Sequence, residues 1–198
     1  MKKNVISFLS ILIILFVTTK KANALNIDFE SLSDGDVVTT QFPGLTFSNA
    51  TALTAGISLN EFEFPPHSGD NVVFDDSDPM TIDFSTPMAD IGAYFTYLVP
   101  LTVDFFDPLH NLVGTVNSLF LSNLALSGDL GSSPNEFLNF AWASGISQMT
   151  ITGDPLGGSF TMDDLQGTPV PEPTSLLLLV SGLAGMVGYG WRRLRKET

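Results

Sequence analysis

Hydrophobic and polar residues alternate in short runs along most of this chain, and the period is two. Ile27 and Phe29 alternate with Asp28 and Glu30, and Leu45 and Phe47 alternate with Thr46 and Ser48. A period of two places successive side chains on opposite faces of a half-buried strand. Further strands are expected at 57–64, 71–74, 80–84, 91–97, 101–106, 112–116, 137–142, 149–152 and 160–165. Turn-forming residues separate them: Ser33-Asp34-Gly35, Pro43-Gly44, Ser68-Gly69-Asp70, Asp107-Pro108, Ser127-Gly128 and Gly153-Asp154-Pro155. Residues 118–126 fit neither period and are expected to be a short helix or another strand. No amphipathic helix and no internal repeat is evident. Roughly ten short strands with turns between them predict an all-β, antiparallel β-sandwich of jelly-roll type.

The ends have another pattern. Residues 5–17 are apolar apart from two serines, follow Lys2 and Lys3, and precede Ala22-Asn23-Ala24. A positive start, a short apolar run and small residues at the cleavage positions predict a signal peptide over 1–24, removed after Ala24 by signal peptidase. Residues 174–191 carry no charge and are followed by Arg192, Arg193, Arg195 and Lys196. That pattern predicts a transmembrane helix whose basic end stays cytoplasmic. Pro171 and Pro173 stop the helix from extending upstream. The expected organisation is therefore a signal peptide (1–24), a β-sandwich domain (25–169) and a tail (170–198).

Charge sharpens this division. The chain has 8 Lys plus Arg and 21 Asp plus Glu. All eight bases lie in the two ends, and every carboxylate except Glu172 and Glu197 lies between them. The middle therefore carries 19 carboxylates and no Lys or Arg. Phosphate neutralisation requires those cations, so a nucleic-acid partner is excluded. The chain has no cysteine, which removes disulfides, thiolate metal sites and thiol nucleophiles. With 44% hydrophobic residues and 16 Phe, the middle has enough apolar material for a core.

Val170-Pro171-Glu172-Pro173, the short apolar span and the Arg-rich end occur in that order at the terminus, as VPEPTSLLLLVSGLAGMVGYGWRRLRK. This closely resembles the PEP-CTERM sorting tail. The resemblance implies recognition of Pro171, Glu172 and Pro173 by a membrane-embedded exosortase, which removes the span. It implies export in a Gram-negative bacterium, a transient inner-membrane intermediate, and a final place on the outer surface or in an exopolysaccharide or biofilm matrix. The middle also resembles β-sandwiches that ride ahead of such tails, in Ile27-Asp28-Phe29-Glu30, Gly44-Leu45-Thr46-Phe47, Phe105-Phe106-Asp107 and Phe160-Thr161-Met162-Asp163-Asp164-Leu165.

Candidate chemistry is sparse. Similar carbohydrate-binding jelly rolls imply a structural calcium ion tying the first strand to the last. Its ligands here would be Asp28 or Glu30 with Asp163 or Asp164, because Ca²⁺ collects six to eight hard oxygens. Asp75-Asp76-Ser77-Asp78 is a second acidic segment, expected as a solvated turn. Glu61 and Glu63 would share a strand face, which is a possible geometry for glycosidase carboxylates, but the polar face of a strand explains them more simply. His67 and His110 sit beside turns and are expected at the surface. Tyr94, Tyr97 and Trp142 each join an apolar ring to a polar handle and could stack on sugars, with Tyr97 and Trp142 the main candidates. The expected function is that of a non-enzymatic surface or matrix protein. The alternative is a carbohydrate-binding module with structural calcium.

Overall fold

The computed structural model describes residues 23–77 and 79–171, together with Gly182. Residues 1–22 of the expected signal peptide, Asp78, Glu172, Pro173, the rest of the expected transmembrane span and the basic residues Arg192, Arg193, Arg195 and Lys196 lie outside the described residues. Among the described residues, no helix is long and apolar enough to cross a membrane.

Nine strands are described: β1 (Leu25–Ile27), β2 (Leu45–Ser48), β3 (Ala50–Thr54), β4 (Asn71–Asp75), β5 (Met80–Tyr97), β6 (Thr102–Phe106), β7 (Leu112–Asn117), β8 (Glu136–Thr152) and β9 (Phe160–Pro169). Every pairing between them is antiparallel. The expected all-β antiparallel body is therefore observed.

Two long strands organise it. The first part of β5 pairs with β2 on one side, through Thr81 to Phe84, and with Gln148 to Ile151 of β8 on the other, through Met80 to Asp83. That part of β8 pairs with β6, and β6 with β7. The second part of β5, Asp90 to Tyr97, pairs with Glu136 to Ala141 of β8 and with β9. Beyond β9 lie β1 and β4, and β3 follows β4. Each long strand thus serves two sets of neighbours and changes register between them, at Asp83, Met88 and Asp90. Bulges of this kind bend a strand. Pro87 lacks an N–H for the ladder and lies at the bend. Gly145 opposes it with φ +105°, and a Cβ there would come within 2.7 Å of the Pro87 Cβ.

Both parts bury side chains in one hydrophobic core. Met80, Ile82, Phe105, Met149 and Ile151 come from the first set of strands, and Phe95, Leu138, Phe160, Met162 and Leu165 from the second. The result is a β-sandwich. Phe29, Phe42 and Phe47 add an edge-to-face cluster with centroids 5.6 to 6.2 Å apart. Asn23–Val170 forms one compact unit.

Some expected elements differ. Residues 57–64 form turns, not a strand, because the Asn60 carbonyl accepts the N–H groups of both Glu63 (3.1 Å) and Phe64 (2.9 Å). Residues 118–126 are neither helix nor strand but a loop. Its buried Asn123 accepts the Tyr97 N–H at Oδ1 (2.6 Å) and donates from Nδ2 to the Phe95 carbonyl (2.9 Å), finishing the end of β5. The separate strands expected at 80–84 and 91–97 are one strand, as are those at 137–142 and 149–152.

Candidate functional site

The outward row of β5 runs through Asp90, Gly92 and Tyr94, since Ile91, Ala93 and Phe95 point into the core. Residues paired directly across antiparallel strands share a face. Tyr94 faces Phe137 of β8 and Asp163 of β9. Gly92 faces Asn139 and Gln166, and Gln166 faces Asn26 of β1. Asp90 faces Ala141 and Thr168, and its carboxylate accepts the Thr168 hydroxyl proton. The sheet therefore presents an aromatic row beside an amide row. Gly92 is the middle position of the amide row, between Asn139 and Gln166, and a Cβ there would come within 2.5 Å of the Asn139 Cβ and 2.9 Å of Phe137 Cζ. Absence of a side chain at Gly92 lets the Phe137 ring lean across the sheet. The Tyr94 and Phe137 centroids are 4.9 Å apart, and Phe137 remains 40% exposed.

The segment from Pro65 to Asn71 closes one end of this face and adds a third ring. The His67 imidazole stacks on Tyr94 with centroids 3.5 Å apart and planes within 10°. Four residues hold the segment down. Asp163 Oδ2 accepts the N–H groups of His67 and Ser68, both at 2.8 Å. The Asp164 carboxylate meets His67 Nδ1 at 2.5 Å and accepts the Ser68 hydroxyl proton at 2.9 Å. Glu30 Oε1 accepts the N–H groups of Asp70 (3.0 Å) and Asn71 (2.8 Å). Asn135 Nδ2 donates to the Pro65 carbonyl at 3.1 Å. Asp164 and Asn135 have left-handed backbone, with φ 45° and 63°, as does Phe29 beside Glu30, with φ 61°. A bulky side chain seldom adopts that region, and such conformations persist where surrounding contacts over-determine them. Burial pushes the Asp163 carboxyl up to about 6, against its hydrogen bonds to Ser68 and His67.

The calcium reading required the first and last strands to adjoin, and β1 does pair with β9. The carboxylates do not fit the ion. Asp163 and Glu30 accept backbone N–H groups from the segment between Pro65 and Asn71, Asp163 Oδ1 accepts the Asp164 N–H at 2.7 Å, and Asp28 Oδ1 accepts the Glu30 N–H at 3.2 Å. N–H dipoles converge where a cation would need oxygens. Among the described residues, no group of three or more His, Cys, Asp or Glu side chains is arranged to hold a metal.

Several other candidates move. Tyr97 is 0% exposed and cannot stack on a ligand. Its hydroxyl donates to Glu136 and accepts the Phe120 N–H, beneath the 118–126 loop. Burial, reinforced by Glu136, pushes that phenol up to about 12. Trp142 is 40% exposed on β8, just past Ala141, where pairing with this part of β5 ends. Asp75 is not in a solvated turn. It is buried at the end of β4, where it accepts the Ser159 and Phe160 N–H groups and the Ser159 hydroxyl proton at 2.8 to 3.0 Å. Glu61 and Glu63 share no strand face, and Glu63 accepts the Leu126 and Ser127 N–H groups at 3.0 and 3.2 Å. His67 and His110 are both exposed, as expected; His110 lies in a turn with φ 59°, and His67 is in addition stacked on Tyr94 and paired with Asp164. Phe137, Asn139 and Gln166 escaped the sequence reading. Their alternation was visible, but the register that sets them beside Tyr94 and Gly92 was not.

Residues 169–196 match the PEP-CTERM protein-sorting motif, so the chain carries that motif at its C-terminal end. No curated protein matches the chain. Among solved structures, the K2 cleaved adhesin domain of Lys-gingipain is similar at 15% identity and TM-score 0.48, covering 73% of this chain and 97% of that one. A DUF4465 family protein from Bacteroides caccae is similar at 11% identity and TM-score 0.48, covering 74% and 99%. The CBM22-1 xylan-binding domain from Paenibacillus barcinonensis Xyn10C is similar at 13% identity and TM-score 0.38, covering 79% and 100%.

Proposed function

We propose that the chain is an exported, non-enzymatic surface or extracellular-matrix protein, sorted and trimmed by an exosortase through its C-terminal tail. One observation carries this reading: the sorting motif begins at residue 169, where β9 ends. The last ladder contact is Met88 with Pro169, and Val170 donates its N–H to the Pro87 carbonyl at 2.9 Å. Among the described residues, no strand pairing lies beyond Pro169. Signal peptidase would remove residues 1–24, and the basic end would hold the inner-membrane intermediate until trimming. The mature protein then belongs to the outer surface or the exopolysaccharide matrix of a Gram-negative cell. Glu63, one of the two candidate glycosidase carboxylates, is engaged in holding a neighbouring loop. Intact mass and C-terminal peptide analysis of the protein recovered from its host tests the reading. The expected product lacks residues 1–24 and ends close to Pro171. A mature protein that keeps Trp191 and the Arg cluster would overturn trimming.

A second reading is that the mature domain binds polysaccharide, and the aromatic row of His67, Tyr94 and Phe137, with His67 and Phe137 exposed and Tyr94 half-buried between them, favours it.

A further inference from the structure

The aromatic and amide rows have no assigned role in the fold. Phe137 leaves much of its ring in water although it is a large apolar side chain on a regular strand. The Asn139 and Gln166 amides have no hydrogen-bond partner among the described residues, and Asn139 is exposed. Each amide is both donor and acceptor, so each can meet a hydroxyl in either sense. A ring with apolar C–H faces and hydroxyls around its edge is the chemistry that uses both rows together. Charge narrows the ligand. The ionisable side chains around these rows include Asp90, Asp163, Asp164 and His67, whose imidazole is already paired with Asp164, and Lys or Arg is absent from residues 25–169. An anionic polymer would meet carboxylates with no Lys or Arg to offset them and a histidine already engaged by Asp164. The four-point anchoring of the His67 segment fixes one wall in advance, which lowers the entropy cost of binding.

We propose that the face formed by His67, Tyr94, Phe137, Asn139 and Gln166 binds an uncharged glycan chain, with the rings as the stacking wall and the amides as hydroxyl contacts. This rests on the polysaccharide-binding reading and assigns it a place and a ligand class. The amide row from Asn139 across Gly92 to Gln166 spans two strand spacings, ~10 Å, so more than one sugar ring fits along it.

Affinity electrophoresis of the full chain, in gels containing galactomannan, xylan, mixed-linkage β-glucan or alginate, tests it. At least one of the three neutral polymers should retard the protein, and alginate should not. Phe137→Ala, and the pair Asn139→Ala with Gln166→Ala, should each weaken retardation by about tenfold with an unshifted melting transition, a loss equivalent to roughly 1.4 kcal/mol. Phe137→Trp should retain binding, and Trp142→Ala should leave it unchanged. Retardation that survives the Phe137 and amide variants but disappears in Trp142→Ala would overturn this site and leave the polysaccharide-binding reading standing. Absence of retardation by all four polymers would overturn both, and retardation by alginate equal to or stronger than that by the neutral polymers would overturn the assignment to uncharged glycans.

Discussion

At the scale of single residues, Asp163 shows how one carboxylate both builds the face and limits its stability. It lies on the outward side of β9, opposite Tyr94, yet the His67 segment buries it. Its carboxyl is held at about 6, mainly by burial, against an ordinary value of about 3.9. Between those values the folded protein keeps a proton that the unfolded chain releases. The resulting stability is complete below about pH 4 and is lost as pH rises through 6. Burial moves Asp75 in the same direction. Glu63 and Asp107 are shifted down, chiefly by hydrogen bonds from Leu126 and Asn111 respectively, but both are at the surface, where such effects are small. The melting temperature should therefore rise as pH falls from 7.5 to 4.5, and Asp163→Asn should flatten that slope. A slope of the same size in the variant would assign the pH response to other groups. Neither aspect of Asp163 was legible in the sequence. Asp163 and Asp164 look alike at the end of an apolar strand, and only the segment folded back from almost a hundred positions earlier separates a buried carboxylate from a half-exposed one.

At the scale of elements, local pattern and long-range pairing divided the work. The alternation at Leu45 to Ser48 coincides with β2, which has one face on the core, whereas of the run Ile27 to Glu30 only Ile27 lies in a strand, β1, and the chain turns at Phe29 with φ 61°. β3 was missed because Ala50-Thr51-Ala52-Leu53-Thr54 buries small residues, whose hydrophobic contrast is weak. Residues 57–64 also alternate, but the Asn60 carbonyl captures two N–H groups and closes a turn before a ladder can form. The continuity of β5 and β8 was hidden by bend residues, Pro87 and Gly145, that read as ordinary breaks. Asp75 shows how such elements are joined: at the end of β4 it caps the turn between β8 and β9. Asp75→Ala would leave two buried backbone N–H groups and one hydroxyl without their acceptor. A buried unsatisfied donor costs about 1–3 kcal/mol, so a loss of roughly 2–4 kcal/mol is expected in urea denaturation. A loss below about 1 kcal/mol would mean that the turn is held by other contacts, of which the Gly158 N–H to the Asp75 carbonyl at 2.7 Å is the first to consider.

At the scale of the whole molecule, charge and fold meet. Nineteen carboxylates lie in residues 25–169 with no Lys or Arg to pair with them, so the one ion pair among the described residues uses a histidine, His67 with Asp164. The protein answers part of this charge with backbone N–H groups: Glu30, Glu63, Asp75, Asp107, Asp129 and Asp163 each accept at least two. That solution fixes loops locally but leaves the long-range repulsion intact. Such repulsion destabilises a compact state and is screened over ~10 Å at 0.1 M salt. The melting temperature at pH 7.5 should therefore rise between 10 mM and 300 mM NaCl. The same argument decides the calcium question. If the carboxylates serve N–H donors and not an ion, millimolar CaCl₂ should stabilise the protein no more than NaCl or MgCl₂ at equal ionic strength. EDTA should then leave the transition where it was. A specific site would behave differently, because a ligand bound only to the native state raises stability with the logarithm of its concentration. A calcium-specific rise that continues with concentration would restore an ion at the junction of β1 and β9. The junction would then have to rearrange, turning Glu30 and Asp163 away from the segment that carries His67.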